Sequence, residues 1–307
     1  MIFLYFVLTN IKNSINNKQT KEKYELLNTT IALCTMGKLE NLYINEFISY
    51  YIKLGVDHII IYDNNEPKTE KIKDVIKNNY ANKVSIFETY KYNINHQSQA
   101  FTNCYQTFKQ KYDWFIMVDI DEYLYIINDT LKHYLNDEIF KKCDFIKLHW
   151  VTPTDNNLLY YDKRPLFERF KGPFIKEKKI KSIIRGNISD LMYWVHSPSF
   201  SPKNNITCNN EGKRIIYKHL NFEEIEPINT KRAFIIHFRF KSTEEFIKKY
   251  KRGYSNWHGN LTNNILNSLV ELYFSINEIT IEKINYIERE LKLNLSLYKY
   301  KLKILKK

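Results

Sequence analysis

Residues 114–122 read Trp114-Phe115-Ile116-Met117-Val118-Asp119-Ile120-Asp121-Glu122, and this stretch decides the fold. Five consecutive apolar residues are typical of a strand buried on both faces, and the acidic residues mark its end. Other apolar runs alternate with helical patterns before it: strands at 30–34, 58–62 and 84–87, helices at 40–54, 68–79 and 97–111. This alternation predicts an α/β fold, with a mostly parallel sheet flanked by helices.

Polar clusters follow three of these strands. They occupy residues 35–40, 63–66 and 119–122. In parallel sheets the carboxyl ends of the strands meet at one edge, where ligands bind. The sequence therefore predicts that these clusters share one rim and that the site lies there.

The second half of the chain has a less regular rhythm. The expected elements are strands at 145–150, 182–185, 192–195, 215–220 and 233–240, helices at 243–251, 262–276 and 278–292, and a basic tail at 299–307. We divide the chain into an apolar segment and polar linker (1–28), a main domain (29–255) and a helical, basic C-terminal extension (256–307).

Composition limits the function classes. The 307 residues carry a net charge of +13, but only 8 of the 47 basic residues are arginines, the residue better suited to bidentate phosphate binding. A basic nucleic-acid-binding protein is therefore a weaker alternative, based on the lysine-rich helices of 243–307. No P-loop motif is present, which excludes P-loop phosphotransferases.

The cysteines and the N-terminal apolar run indicate where in the cell the protein is located. The four cysteines form no CxxC pair, so we expect reduced, buried thiols and a cytoplasmic protein. The eight apolar residues of 1–8 are too short to span a bilayer, which takes about 20. Peripheral contact of this segment with a membrane remains an alternative to packing on the domain.

Asp119 and Asp121 are the most informative pair. Side chains alternate along an extended chain, so two carboxylates one residue apart point the same way and repel unless a cation lies between them or they share a proton. Oxygen ligands suit Mn²⁺ or Mg²⁺. The alternative is a solvated acidic turn.

The sequence resembles GT-A glycosyltransferases of the family 2-like group, which overlaps glycosyltransferase family 92. Three blocks within about residues 30–255 carry the resemblance: Glu46 to Asn64 with its Leu54-Gly55-Val56 turn, Asp113 to Leu124, and His237 to Gly253 with Lys241-Ser242. The resemblance implies a GT-A, Rossmann-like main domain.

The resemblance also assigns roles to residues of the first two blocks. Asp63 and Asn64 would contact the nucleoside, although Asp63 could simply form a turn. Asp119 and Asp121 would hold Mn²⁺ or Mg²⁺ across the diphosphate, and Glu122 would support them or cap the next segment.

In the third block, His237 would be a further metal ligand, or else a packed core residue. Lys241 and Ser242 would bind the diphosphate, while Ser242 could serve only as a helix N-cap.

An inverting transfer needs a base for the acceptor hydroxyl. Asp155 and Glu168 are the two candidates, and Asp155 is preferred because it follows a strand near Trp150, whose ring could stack on a sugar. Glu168 could instead pair with Arg169.

The resulting prediction is a metal-dependent, inverting glycosyltransferase that uses a UDP- or GDP-sugar. Its acceptor would be a glycan, glycolipid or glycoprotein, with no specific nucleic acid involved. A catalytically inactive sugar-binding relative is the other alternative.

Overall fold

The computed structural model describes residues 29–88, 96–200, 205–216, 223–253 and 261–305. The expected linker and apolar segment at 1–28 lie outside this part. The chain forms two compact units. Unit 1 contains the described residues of Met1–Val151 and Lys176–His237, and unit 2 those of Thr152–Ile175 and Phe238–Lys307. The division at 28 and 255 stays a prediction.

The strands are, in chain order, β1 (Ile31–Gly37), β2 (His58–Asp63), β3 (Val84–Glu88), β4 (Trp114–Met117), β5 (Glu122–Ile126), β6 (Phe145–Pro153), β7 (Phe174–Arg185), β8 (Met192–Tyr193), β9 (Pro198–Phe200), β10 (Thr207–Asn209) and β11 (Ala233–His237). The helices are α1 (Asn41–Leu54), α2 (Ile72–Val75), α3 (His96–Phe108), α4 (Leu131–Asn136), α5 (Leu166–Arg169), α6 (Thr243–Lys251), α7 (Asn263–Ile276), α8 (Ile281–Leu291) and α9 (Ser296–Leu305). Short 3-10 turns cover Asn78–Lys83 and Glu138–Phe140.

The main sheet has the order β3-β2-β1-β4-β7-β6-β11-β5, and β10 pairs with β6. Strands β3, β2, β1 and β4 pair in parallel. Strand β7 joins β4 antiparallel, and β5 joins β11 antiparallel, whereas β6 is parallel to β10 and β11. The α/β class is therefore confirmed, but the sheet is mixed, unlike the mostly parallel Rossmann-like sheet that the sequence predicted.

Burial explains the elements of the first half. All seven residues of β1 are buried, as expected for a strand covered on both faces. Helix α1 buries Tyr43, Phe47 and Tyr51 along one stripe. It ends at Leu54. The next residue, Gly55, has a φ of 110° that few side chains tolerate, and its N–H bonds back to the last turn.

Two disulfide bonds cross unit 1. Cys34 on β1 is bonded to Cys104 on α3, and Cys143 is bonded to Cys208 on β10. The expectation of reduced thiols is therefore wrong. Spacing along the sequence could not reveal the pairs, because each joins residues 65 or 70 positions apart that the fold brings together.

Unit 2 has an apolar core built from its helices. Phe246 and Tyr250 on α6, Val270 and Tyr273 on α7 and Ile284 on α8 belong to one buried cluster. Each of the three helices begins at a Ser or Thr whose hydroxyl accepts a backbone N–H, so polar caps fix where the apolar stripes start.

Differences from the expected elements are local. The helix expected at 68–79 is only the single turn α2, followed by a 3-10 turn. The strand expected at 215–220 is absent at 215–216 and otherwise falls outside the described residues. The basic tail, for which no separate helix was expected within the helical extension, contains helix α9.

Candidate functional site

The ends of β1, β2 and β4 lie at one edge of the sheet, as the polar clusters predicted. In the parallel registers Gly37 aligns with Asp63, and Cys34 aligns with Met117 just before the acidic turn. The Asn64 N–H also donates to the Gly37 carbonyl at 2.8 Å. All of these residues belong to unit 1.

Asp119, Asp121 and Glu122 form a tight turn after β4. The Glu122 N–H donates to the Asp119 carbonyl at 3.0 Å, and a Glu122 carboxylate oxygen accepts the Asp119 N–H at 2.9 Å. Glu122 is fully buried, and Asp121 is nearly so. The Asp119 side chain keeps 27% of its surface exposed, so it is the acid of this turn that solvent reaches.

Lys181 on β7 belongs to the candidate site and was not predicted from the sequence. Its buried ammonium donates to Asp119 and to the Val195 carbonyl, both at 3.0 Å, and lies 3.3 Å from Glu122. Burial alone would lower its pKa, but the carboxylates of Asp119 and Glu122 outweigh burial and raise it, so Lys181 is a cation. It supplies the positive charge that the acidic turn requires.

Burial has the largest effect on the pKa of Glu122. It raises the pKa of this carboxyl well above its usual range, although the nearby Lys181 opposes the rise. Within the part of the chain that the structure describes, Glu122 Oε1 has no hydrogen-bond partner. Lys181 therefore shares its charge between one partly exposed acid and one fully buried acid.

His237 ends β11 opposite Glu122 in the antiparallel register. Its Nε2 lies 3.6 Å from Asp121 Oδ1, and its ring centroid is 4.2 Å from that of Trp150. The ring of His196 also lies near Trp150, at 5.1 Å between centroids. Burial lowers the pKa of His196 to about 2, with the charge of Lys181 as the next cause, so this imidazole is neutral.

The predicted metal ligands fit a divalent ion only in part. Asp121 and His237 face one another and supply oxygen and nitrogen donors. Asp119 instead bonds to Lys181 and to Gln97 at the start of α3. Across residues 29–305, leaving aside the gaps in the description, no group of three or more His, Cys, Asp or Glu side chains is arranged to hold a metal ion.

Asp63 is fixed by its own loop. One carboxylate oxygen accepts the Asn65 N–H at 2.9 Å, and the other accepts the Ile72 N–H at the start of α2 at 2.8 Å. Asn64 beside it is buried. These contacts are those of the turn-forming alternative, and the nucleoside contact of Asp63 and Asn64 stays a prediction.

Lys241 and Ser242 lie in unit 2, where Ser242 is the N-cap of α6. The Ser242 hydroxyl donates to Glu245 at 2.7 Å, and the Ser242 N–H donates to the same carboxylate at 3.1 Å. Arg169 completes the group with a 2.8 Å ion pair to Glu245. Lys241 is buried with a φ of 56°. The capping role of Ser242 is visible in these contacts, and diphosphate binding stays a prediction.

The two candidate bases, both in unit 2, have very different surroundings. Asp155 is buried and accepts from Lys283 Nζ at 2.7 Å and from the Tyr273 hydroxyl. Glu168 is exposed, and its neighbour Arg169 pairs with Glu245 rather than with it. Asp155 is thus held in a structural network, whereas Glu168 faces solvent.

An open cavity of about 440 Å³ lies elsewhere on unit 1. Its lining includes Tyr112 and Asp113, which precede β4, together with Arg185 at the end of β7 and Gly186 after it. Asp119 follows the opposite end of β4. We therefore do not assign the predicted site to this cavity.

Comparison with known proteins identifies the family of the chain. The sequence profile of glycosyltransferase family 92 matches residues 28–270, which is most of the chain. The chain belongs to glycosyltransferase family 92. A family 92 protein of Oryza sativa subsp. japonica is 24% identical over 110 residues, or 34% of this chain. The matched stretch spans only 18% of that rice protein.

A solved structure with weak similarity is that of HddC from Yersinia pseudotuberculosis. The match has 12% identity and a TM-score of 0.29, and covers 52% of this family 92 chain and 71% of the other. In the described residues, no helix combines the length and apolarity needed to cross a membrane.

Proposed function

We propose that this family 92 protein is a metal-dependent glycosyltransferase that transfers a sugar from a UDP- or GDP-sugar to a hydroxyl group of a glycan, glycolipid or glycoprotein. The observation that carries the proposal is the acidic turn at the end of β4, where Asp121 faces His237 and Asp119 remains open to solvent. Ligands of α/β sheets bind at such strand ends.

Asp119, Asp121 and His237 would hold the Mn²⁺ or Mg²⁺ ion. When bound, the ion would neutralise charge on the departing nucleoside diphosphate. The protein's own part is to fix the acids: Gln97 and Lys181 hold the Asp119 carboxylate from two sides. The Lys181 ammonium balances the negative charges of Asp119 and Glu122.

We also propose that the transfer inverts the configuration of the sugar and that a side chain of the protein acts as the base. A base must reach the acceptor hydroxyl in order to take its proton. Exposure supports Glu168 for this role over Asp155, whose carboxylate is engaged by Lys283 and Tyr273.

The disulfides bear on the compartment. Cys34–Cys104 and Cys143–Cys208 are bonded, and such bonds persist mainly in oxidising environments. We therefore propose an oxidising compartment in place of the cytoplasmic location that the unpaired cysteine pattern suggested. Protein isolated without reductant should show no free thiols after denaturation.

Substitution of the acids tests the function. Asp121→Asn should lower turnover of the active donor in a panel of UDP- and GDP-sugars by about 100-fold or more, because it weakens charge stabilisation in the transition state. The same variant should weaken Mn²⁺ binding, measured by calorimetry without donor. Asp190→Asn is the matched control: Asp190 is exposed, and its φ of 51° suits asparagine equally well.

Each outcome has a separate meaning. Full turnover and unchanged Mn²⁺ binding in Asp121→Asn would refute the metal role. Donor binding by the wild type with neither transfer nor hydrolysis would instead favour the sugar-binding alternative.

A further inference from the structure

Helix α9 (Ser296–Leu305) presents an exposed apolar stripe. Leu297, Tyr300 and Ile304 are 60%, 63% and 54% exposed. Their spacing of three and four residues puts them within an arc of about 60° on a helix of 3.6 residues per turn. Large apolar side chains that remain this exposed in a row mark an interaction surface.

The orientation of the stripe is fixed by the other face of the helix. Tyr298 and Leu302, four residues apart, pack on the apolar core of unit 2, and the Tyr298 ring lies 4.9 Å from that of Phe274. Lys299 forms an ion pair with Glu288 on α8. These contacts direct the stripe away from the core.

Lysines border the stripe on both sides. Lys301 and Lys303 are exposed, and they lie on opposite sides of the stripe around the helix. Lys306 and Lys307 follow in the sequence. A helix with an apolar stripe between lysines suits the boundary of an anionic bilayer, where apolar side chains enter the acyl layer and ammonium groups reach phosphates. Nucleic acid would use the lysines but not the leucine or isoleucine.

We propose that the surface formed by Leu297, Tyr300, Ile304, Lys301 and Lys303 docks the protein on a membrane that contains anionic lipids. The apolar stripe supplies part of the affinity, and the lysines restrict binding to negatively charged surfaces. This inference is independent of the catalytic proposal, since it uses none of the residues named for the transfer.

Vesicle co-sedimentation of the full chain tests the surface. The wild type should bind phosphatidylcholine vesicles that contain phosphatidylserine, and bind pure phosphatidylcholine vesicles much more weakly. Lys301→Gln/Lys303→Gln should lose about 25-fold in affinity, since each lysine near an anionic surface contributes about fivefold. Leu297→Ser/Ile304→Ser should lose on the order of 100-fold through the lost apolar burial.

Matched controls lie elsewhere on the molecule. Met192→Ser/Ile216→Ser removes two exposed apolar side chains, and Lys141→Gln/Lys231→Gln removes two exposed lysines; both should bind like the wild type. Circular dichroism confirms that every variant is folded. Failure of the wild type to bind anionic vesicles, or equal binding by Leu297→Ser/Ile304→Ser, would overturn the proposal. If Leu297→Ser/Ile304→Ser binds vesicles as well as the wild type does, and the protein also binds a DNA oligonucleotide, the surface is a nucleic-acid surface instead.

Discussion

Lys181 shows how one residue determines the charge balance of a site. Two acids next to each other in a buried turn repel, and the ammonium of Lys181 lies within 3.3 Å of both Asp119 and Glu122. Its partners are about sixty positions away in the sequence, and it belongs to a lysine-rich stretch that reads as a solvated segment. Only the pairing of β7 with β4 brings them together.

Lys181→Met should lower the free energy of unfolding by about 3–5 kcal/mol, because it leaves the buried Glu122 and the partly exposed Asp119 without their cation. Urea denaturation measures the effect. Lys179→Met is the matched control on the same strand: its ion pair with Glu223 has side chains that are about one-third exposed, so its loss should stay below about 1 kcal/mol.

A double-mutant cycle isolates the interaction of Lys181 with Glu122. Glu122→Gln should recover part of the stability lost in Lys181→Met, since the buried acid is then neutral. Simple additivity of the two substitutions would show that the ion pair does not explain the loss.

Lys147 predicts a pH dependence of stability. Burial lowers its pKa to about 7 from an ordinary value of 10.5. Between these values the unfolded chain binds a proton that the folded protein does not, so stability falls as the pH falls through this window. The slope is at most about 1.4 kcal/mol per pH unit, and below about pH 7 the whole penalty is present.

Lys147→Met removes this penalty but also the 2.8 Å hydrogen bond to Ser182. Its stability relative to wild type should therefore increase steadily from about pH 9 to about pH 7 in urea denaturation. Lys141→Met, at an exposed position, provides the baseline. A difference between Lys147→Met and wild type that does not vary with pH would contradict a neutral buried amine.

At the scale of elements, the sequence predicted best where one local pattern suffices. Strands β1, β2 and β4 are built around runs of three or more consecutive apolar residues, and the observed bounds differ from the expected ones by at most three residues. Parallel pairing then puts their polar ends together, so the placement of the acidic turn could also be predicted.

Elements whose patterns mix polar and apolar residues were missed. Strand β5 begins at Glu122, which reads as part of the acidic turn, yet Tyr51 of α1 bonds to the backbone at both Glu122 and Leu124. Helix α9 is hidden by its lysines, because only Tyr298 and Leu302, both partly buried, pack on the core from this basic tail. Such elements are fixed by contacts with distant segments.

Candidate residues outside the acidic turn were predicted from the chemistry of their side chains, not from the residues that surround them in the fold. Asp155 has the chemistry of a base, but the sequence gives no sign that Lys283, 128 residues away, bonds to it. Ser242 could be recognised as an N-cap from Glu245 three residues later, and this local signal proved accurate. Long-range ion pairs carry no comparable signature.

For the molecule as a whole, the disulfides should stabilise one unit selectively. The four cysteines of the chain, Cys34, Cys104, Cys143 and Cys208, all belong to unit 1. Each bond closes a loop of 65 to 70 residues, which restricts the unfolded chain and contributes roughly 4 kcal/mol.

Cys34→Ser/Cys104→Ser should therefore destabilise unit 1 and lower its midpoint of thermal unfolding by on the order of 10 °C. Hydrogen exchange followed by mass spectrometry locates the effect: β1, β4 and α3 should exchange faster, whereas α6, α7 and α8 should keep their wild-type rates. Reductant should produce no further change in a variant with all four cysteines replaced by serine. Equal acceleration of α7 and β1 would show that the bonds stabilise the whole chain, and the assignment of their effect to unit 1 would then be wrong.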